Sequence, residues 1–451
     1  MNSRVVMGII GASLGLAGAA SAETFFVNQD GSGDFTEIQP ALDAADDGDL
    51  VIISEGVYME NDLSVQGKEV RVKGTIDDEG NPVTVIDGSG PESARIINVL
   101  SGETFDTVFE NLVLDGGRAT LGGGVAFSNG SSARFVNCVI RNCEALSGGG
   151  GLYSNDGSYP VLVGCRISGN TAESSGGGVY VTTGQLSMLN CVVTQNSAGD
   201  DGGGLLIDLV DPLVLGTLIS NNQSGDDGAG MYISNAPKGL YRGCTFLGNS
   251  SLGPTSEGGG LHIFQSSPLI EDCSFAGNSV INAGGAIYAN AGSNAQISGC
   301  SISGNISANF GGGISLDSSS PSIEVCLITG NLAQDGGGLF GFDGSNPSLV
   351  NTTICNNAED QVDSPFDDGG GNIIQANCPL AGACCTGNGT ICVSESSQLD
   401  CLVYGGTWIG EGVSCENAGC QAPCLGDADG DGVVDVNDIL LVIARFNVAC
   451  P

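Results

Sequence analysis

One cysteine returns at a near-constant interval, and that interval governs what the chain can fold into. Cys138, Cys165, Cys191, Cys244, Cys273, Cys300 and Cys326 are separated by 27, 26, 53, 29, 27 and 26 residues. The 53 is two steps, with Thr217 in the intervening slot. Thr352 takes the slot after Cys326, and the same alignment puts Asn111 in the slot before Cys138. Two positions after each slot stands an apolar residue: Val113, Ile140, Ile167, Val193, Ile219, Phe246, Phe275, Ile302, Ile328 and Ile354. Another stands three positions before it, from Phe135 and Leu162 to Ile323 and Leu349. Five positions after the slot comes an asparagine (Asn170, Asn196, Asn222, Asn249, Asn278, Asn305, Asn331, Asn357), with Cys143 in that place one unit earlier. A glycine run follows, such as Gly176-Gly177-Gly178, and then an aliphatic residue such as Val179 or Leu205.

A unit of about 26 residues cannot bury its own apolar face, so such units must stack on one another. Cysteine and the aliphatic two residues later alternate with the period of a strand. No unit places apolar residues at i, i+3, i+4 and i+7 over a usable length, and the glycines break helices and supply positive φ at corners. Stacked strands lie about 4.8 Å apart, and connections between parallel strands are overwhelmingly right-handed. The fold class expected is therefore all-β, a right-handed parallel β-helix solenoid of roughly 26-residue coils. Equivalent residues then lie above one another, isoleucines as an interior ladder and asparagines bonded amide to amide. The cysteine slot reads as packed thiols, because cysteine is a small core residue and threonine replaces it twice. Disulfides between coils are the rival reading, although parallel neighbours rarely meet the S–S torsion. Cys143 and Cys355 are each either free or paired.

The ends of the chain differ from the repeat. Arg4, the apolar stretch Val5 to Ala17 and Ala20-Ser21-Ala22 have the form of a secretory signal peptide over residues 1–22. A secreted or cell-surface location is expected, with no transmembrane segment. Behind such a leader, 18 cysteines permit disulfides. The 51 acidic residues against 12 Lys and Arg exclude nucleic acid and anionic lipid as partners. Near the C-terminus Cys384, Cys385, Cys392, Cys401, Cys415 and Cys420 crowd together around Trp408, which reads as a small disulfide module, with Cys378 free to join Cys355.

The sharpest motif is Asp427-Ala-Asp429-Gly-Asp431-Gly432-Val433-Val-Asp435-Val-Asn-Asp438. Carboxylates stand at loop positions 1, 3, 5, 9 and 12, glycine at 6, and Val433 offers its carbonyl at 7, an oxygen cage for Ca²⁺. Asp427, Asp429, Asp431, Val433, Asp435 and Asp438 are the expected metal ligands, with a short helix starting at Ile439. Cys424 and Cys450 flank this unit and plausibly staple it. A second acidic or calcium patch is expected at Asp200, Asp201, Asp226 and Asp227, two pairs 26 residues apart. Arg242 and Lys238 stand nearby in sequence. His262, the only histidine, occupies the slot of Tyr153, Tyr180, Tyr232 and Tyr288 and reads as a structural stand-in, not a general base. No catalytic residue is assigned.

Three resemblances follow from these residues. Phe246-Leu-Gly-Asn249, Phe275-Ala-Gly-Asn278 and Gly284-Gly285-Ala286-Ile287 resemble the repeats of the polymorphic outer-membrane-protein family, over residues 109–357. Val27-Asn-Gln-Asp-Gly-Ser-Gly-Asp-Phe-Thr-Glu-Ile-Gln and Gly56-Val-Tyr58-Met-Glu-Asn61 resemble the front of pectinesterase-like and pectate-lyase-like (pectin-lyase-fold) β-helix proteins. There, Thr36 to Ala45 would form an amphipathic helix closing the end of the stack, followed by strands at Leu50–Ile53 and Val83–Ile86. The loop ending in Asp438, with aspartate where an ordinary EF-hand has glutamate, resembles one half of a dockerin. Dockerins carry two such segments and this chain carries one, so a cohesin-type partner is not carried over.

The organisation expected is a leader (1–22), an N-terminal cap with first coils (23–108), repeated coils (109–376), a disulfide-rich module (377–422) and a calcium loop with its helix (423–451). The function expected is a non-catalytic adhesive, structural or binding role, with a polysaccharide or another surface protein as partner. The alternative is a polysaccharide-active enzyme of the lyase or esterase kind.

Overall fold

A computed structural model describes residues 22–90 and 94–378, and the backbone of 382–386, 391–396 and 407–411. The expected calcium loop at Asp427–Asp438, the helix expected after it, most of the cysteine-rich segment and all but the last residue of the expected leader lie outside the described residues.

The coils stack as the 26-residue period requires. Three long parallel sheets run the length of the solenoid, with 14, 13 and 12 strands, and an eight-stranded sheet joins them from Arg118–Leu121 to Ile306–Ser307. Each chain turn contributes one short strand to each sheet, so sequence-distant residues become neighbours at a constant step. On one face Leu162, Met188, Val214, Tyr241, Ile270, Ile297, Ile323 and Leu349 stand in one register column. On the next, Ile140, Ile167, Val193, Ile219, Phe246, Phe275, Ile302, Ile328 and Ile354 do the same. All of these are buried. Burying such a side chain stabilises by about 1.5–3 kcal/mol, and the phenylalanines of successive coils add ring stacking, as at Phe246 and Phe275, 4.5 Å apart.

The asparagine column is fully hydrogen-bonded. Asn222 Oδ1 accepts from both the backbone N–H and Nδ2 of Asn196, each at 3.0 Å. Its own Nδ2 donates to Asn249 Oδ1 and to the carbonyl of Val193, again at 3.0 Å. The column begins where the Cys143 N–H meets Asn170 Oδ1, and it ends on Gln361, whose Oε1 accepts from Asn357 and whose Nε2 donates back to the Asn357 carbonyl.

The cysteine column is thiol, not disulfide: Cys138, Cys165, Cys191, Cys244, Cys273, Cys300 and Cys326 are free and buried, as is Cys143. They sit at the corner between two sheets and not on a strand as the alternation suggested. Each thiol faces carbonyl oxygens, Cys165 Sγ lying 3.2 Å from Phe135 O and 3.6 Å from Val163 O. Thr352 makes the same pair of contacts with its hydroxyl, to Ile323 at 3.2 Å and Val350 at 3.1 Å, which is why threonine substitutes there. Burial pushes the Cys143 thiol up to about 12, which keeps that sulfur in its unreactive protonated form.

The first unit of the repeat aligns differently from the expectation. Val113 pairs with Val139 and Leu114 with Ile140, while Asn137 Nδ2 bonds Asn111 Oδ1 at 2.9 Å. Asn111 therefore matches Asn137, one residue before the cysteine, and the slot itself is held by Leu112. Both asparagines have positive φ (59° and 49°), a corner conformation that glycine fills in other coils. The glycine runs serve two purposes. Gly202 has φ 65°, but Gly203 is needed for space: a Cβ there would lie 2.2 Å from the Gln223 carbonyl of the next coil.

At the N-terminal end the helix Ile38–Ala44 packs on the first strands and buries Ile38, Ala41 and Leu42. Its first two free N–H groups are taken by Glu60, at 2.7 and 3.0 Å, so a distant carboxylate caps it. Leu50–Ile53 is a strand as expected, and the next lies at Thr84–Asp87, one residue on. Cys355, at the end of a buried strand of the stack, is bonded to Cys378 after the last coil, and Gly382–Thr386 pairs antiparallel with Ile391–Ser396 and Thr407–Glu411. Among the described residues no helix is long and apolar enough to cross a membrane.

Candidate functional site

The residue just before each glycine run faces the edge of the coil, and in three successive coils it is acidic: Asp201, Asp227 and Glu257. Backbone bonds stack them, Gly202 N–H to Asp227 O and Gly228 N–H to Glu257 O, both at 2.9 Å. The side chains continue the stack. Asp201 Oδ1 accepts the Asp227 N–H at 3.1 Å, and Asp227 Oδ1 accepts the Glu257 N–H at 2.8 Å.

The adjoining strands bring an aromatic column beside these acids. Tyr153 and Tyr180, then Leu206, Tyr232, His262 and Tyr288, occupy one register position. His262 thus stands in the tyrosine slot, as the sequence indicated, and its ring lies between Tyr232 (centroids 4.7 Å) and Tyr288 (5.0 Å). It is only 1% exposed. Its Nε2 lies 3.3 Å from Asn290 Oδ1. Its Nδ1 comes within 3.2 Å of Asp227 Oδ2, an approach too oblique for a hydrogen bond, so Nδ1 has no hydrogen-bond partner. Glu257 Oε1 accepts from Asn282 Nδ2 at 3.1 Å. Ligand atoms of Asp227, Glu257 and His262 all lie within 4.8 Å of one another.

The electrostatics are those of uncompensated acid. Burial, then the neighbouring Asp227 and Asp226 charges, push the Asp201 carboxyl up to about 6, against the hydrogen bond from the Asp227 amide. Burial pushes Glu257 up to about 7, with His262 opposing and Asp227 adding to the shift. For His262 burial works downward, yet Asp227 and Glu257 outweigh it and the imidazole is raised above its ordinary value. Burial and the same acids raise the Tyr232 and Tyr288 phenols. A buried imidazole between two carboxylates can bind a cation or exchange a proton.

The four aspartates expected as one patch divide into two kinds. Asp200 and Asp226 are exposed, Asp200 taking a bond from Ser174 Oγ at 2.7 Å, whereas Asp201 and Asp227 are half-buried. Arg242 belongs to a different sheet, where it pairs with Glu271. The expected calcium ligands Asp427, Asp429, Asp431, Val433, Asp435 and Asp438 lie outside the described residues. Sequence reading missed Glu257 as part of the acidic column and His262 as its neighbour. The findable signal was the acid directly before the glycine run in three consecutive units, in register with an aromatic slot four residues past the first glycine.

No curated protein matches the chain. Several solved structures are similar to it, and three illustrate the likeness. The A-module of the mannuronan C-5 epimerase AlgE6 of Azotobacter vinelandii is 17% identical, with a TM-score of 0.39, over 76% of this chain and 94% of that one. Pectate lyase Pel9A is 13% identical, TM-score 0.38, over 67% and 79%. The pectin methylesterase of Aspergillus niger is 13% identical, TM-score 0.26, over 80% and 91%. Likenesses this distant carry nothing about chemistry. The family match is different in kind, because the profile described as right handed beta helix region fits residues 56–267 and 255–407. With that profile over most of its length and coils that stack in one parallel register, the chain belongs to the right-handed β-helix family.

Proposed function

We propose that this protein is a secreted or cell-surface β-helix rod with a non-catalytic adhesive or binding role, carrying a calcium loop at Asp427–Asp438 and presenting its sides to polysaccharide or to another surface protein. One observation carries the reading: the flank around Asp201, Asp227 and Glu257 is acidic on three stacked coils, and from 243 to 378 the sequence has no Lys or Arg. A site that worked on acidic sugars would need cations to hold the substrate's carboxylates. A rod of net charge −39 suits instead a calcium-rich exterior, where divalent ions bridge or screen its acids.

A polysaccharide-active enzyme is the second reading, favoured by the Glu257 carboxyl near 7 beside an imidazole, a pairing suited to proton transfer. The two part in one experiment. The mature protein is incubated with neutral, esterified and acidic polysaccharides, with and without calcium, while binding and released sugar ends are both measured. Calcium-dependent retention without product supports the rod. Product formation that disappears in Glu257→Gln overturns it in favour of the enzyme.

A further inference from the structure

His262 Nδ1 is the unsatisfied nitrogen of its ring. Asn290 Oδ1 only accepts, so the Nε2 beside it carries the ring proton, and in the neutral imidazole Nδ1 is left with its lone pair. That nitrogen is buried, lacks a hydrogen-bond partner and lies 3.2 Å from Asp227 Oδ2. Carboxylates also offer only lone pairs. Three potential ligand groups therefore converge within 4.8 Å, an arrangement that a bound cation makes favourable.

The donor set selects the ion. Calcium takes six to eight oxygens, whereas one imidazole nitrogen with two carboxylate oxygens suits a first-row divalent metal. In a tetrahedral zinc site with bonds of about 2.0–2.1 Å, neighbouring ligand atoms lie about 3.3 Å apart. The His262–Asp227 pair is already at 3.2 Å, and Glu257 closes the rest by rotating an unbranched side chain. Each ligand also has an outer partner that orients it: Asn290 on His262, Asn282 on Glu257 and the Glu257 amide on Asp227. The Asp227 side chain is 21% exposed, which leaves water a path to a fourth position.

We propose that Asp227, Glu257 and His262 form a zinc-class divalent metal site on the side of the solenoid, separate from the C-terminal calcium loop. The test uses the full mature chain, stripped with chelator and held in excess Ca²⁺ so that hard-oxygen sites are filled, then titrated with Co²⁺. One equivalent should bind with weak visible d–d bands and no thiolate charge-transfer band, and Zn²⁺ should displace it. His262→Tyr restores the residue found in this slot in four other coils, so the coil should pack while Co²⁺ binding is lost. Glu257→Gln should weaken binding while keeping an oxygen that can accept from the Tyr288 hydroxyl. Asn290→Ala, which removes only an orienting partner, should cost about 10–100-fold in affinity. Absence of Co²⁺ uptake in Ca²⁺, binding that survives in folded His262→Tyr, or a thiolate band placing the metal on cysteine would each overturn the site.

Discussion

Two polar columns run through this molecule at the same coil-to-coil spacing, and they have opposite energetics. In the asparagine column from Asn170 to Asn357 each amide brings a donor and an acceptor, so each rung satisfies the next and the column closes on Gln361. In the acidic column of Asp201, Asp227 and Glu257 every side chain can only accept. Asp201 and Asp227 each take one backbone N–H from the following coil, Glu257 takes Asn282 Nδ2 and the Tyr288 hydroxyl, and the buried Nδ1 of His262 is left without a hydrogen-bond partner. Stacking is neutral about chemistry. It multiplies whatever a residue offers, so self-complementary groups build a frame and acceptor-only groups build a place for a cation or a proton.

The most severe way to break the contrast is to convert one column into the other. Asn222→Asp keeps the shape but removes both donors and buries a charge, leaving Val193 O without its amide partner and Asn249 Oδ1 with one donor fewer. We expect a loss of about 3–5 kcal/mol, read as a fall in the unfolding midpoint with faster amide exchange in the flanking coils. Stability close to that of the parent would mean the ladder contributes shape and little else.

A smaller effect should sharpen the other side. Glu257 and Asp201 titrate near 7 and 6 when folded, above the ordinary values of 4.5 and 3.8. A raised folded value means that the folded chain holds more protons than the unfolded one, so stability is complete below about pH 4 and is lost as pH rises through 6 and 7. His262, also raised, has the same sign: the stability from its protonation is lost as pH climbs past its folded value. In chelator, Glu257→Gln should remove part of this slope and gain on the order of 1–3 kcal/mol relative to the parent at pH 8, with no gain at pH 4. Parallel pH profiles for the two proteins would show that the acids are as well satisfied as the amides.

The smallest change concerns the cysteine column. Cys244→Thr should cost less than about 1 kcal/mol, because a hydroxyl can reach the Val214 and Arg242 carbonyls that the thiol now faces. Cys244→Ala, which leaves a void and bare carbonyls, should cost about 1–3 kcal/mol. Equal costs in thermal unfolding would leave volume alone as the reason for the slot.

Much of the frame was readable from spacing. The apolar columns, the asparagine stack, the packed thiols and the pairing of Cys355 with Cys378 all rest on residues that repeat or are left over from the repeat. The alignment slipped by one residue at Asn111, which was put in the cysteine slot although it belongs, with Asn137, to the left-handed corner just before it, and Leu112 fills the slot. Spacing cannot tell these apart, whereas φ can. At the site, His262 was placed correctly in the tyrosine slot and Asp227 in an acidic patch, but Glu257 was not joined to them, since the coil that follows it has no acid in that place.

The sequence by itself determined the period, the parallel register and the composition of each column, because hydrophobic burial and hydrogen-bond pairing act identically on every unit. Only the tertiary structure decided that Asp227, Glu257 and His262 share one small volume. That volume lies between adjacent coils, and its properties come from burial, from one unsatisfied imidazole nitrogen and from charges 30 residues apart in the chain, none of which a repeat pattern encodes.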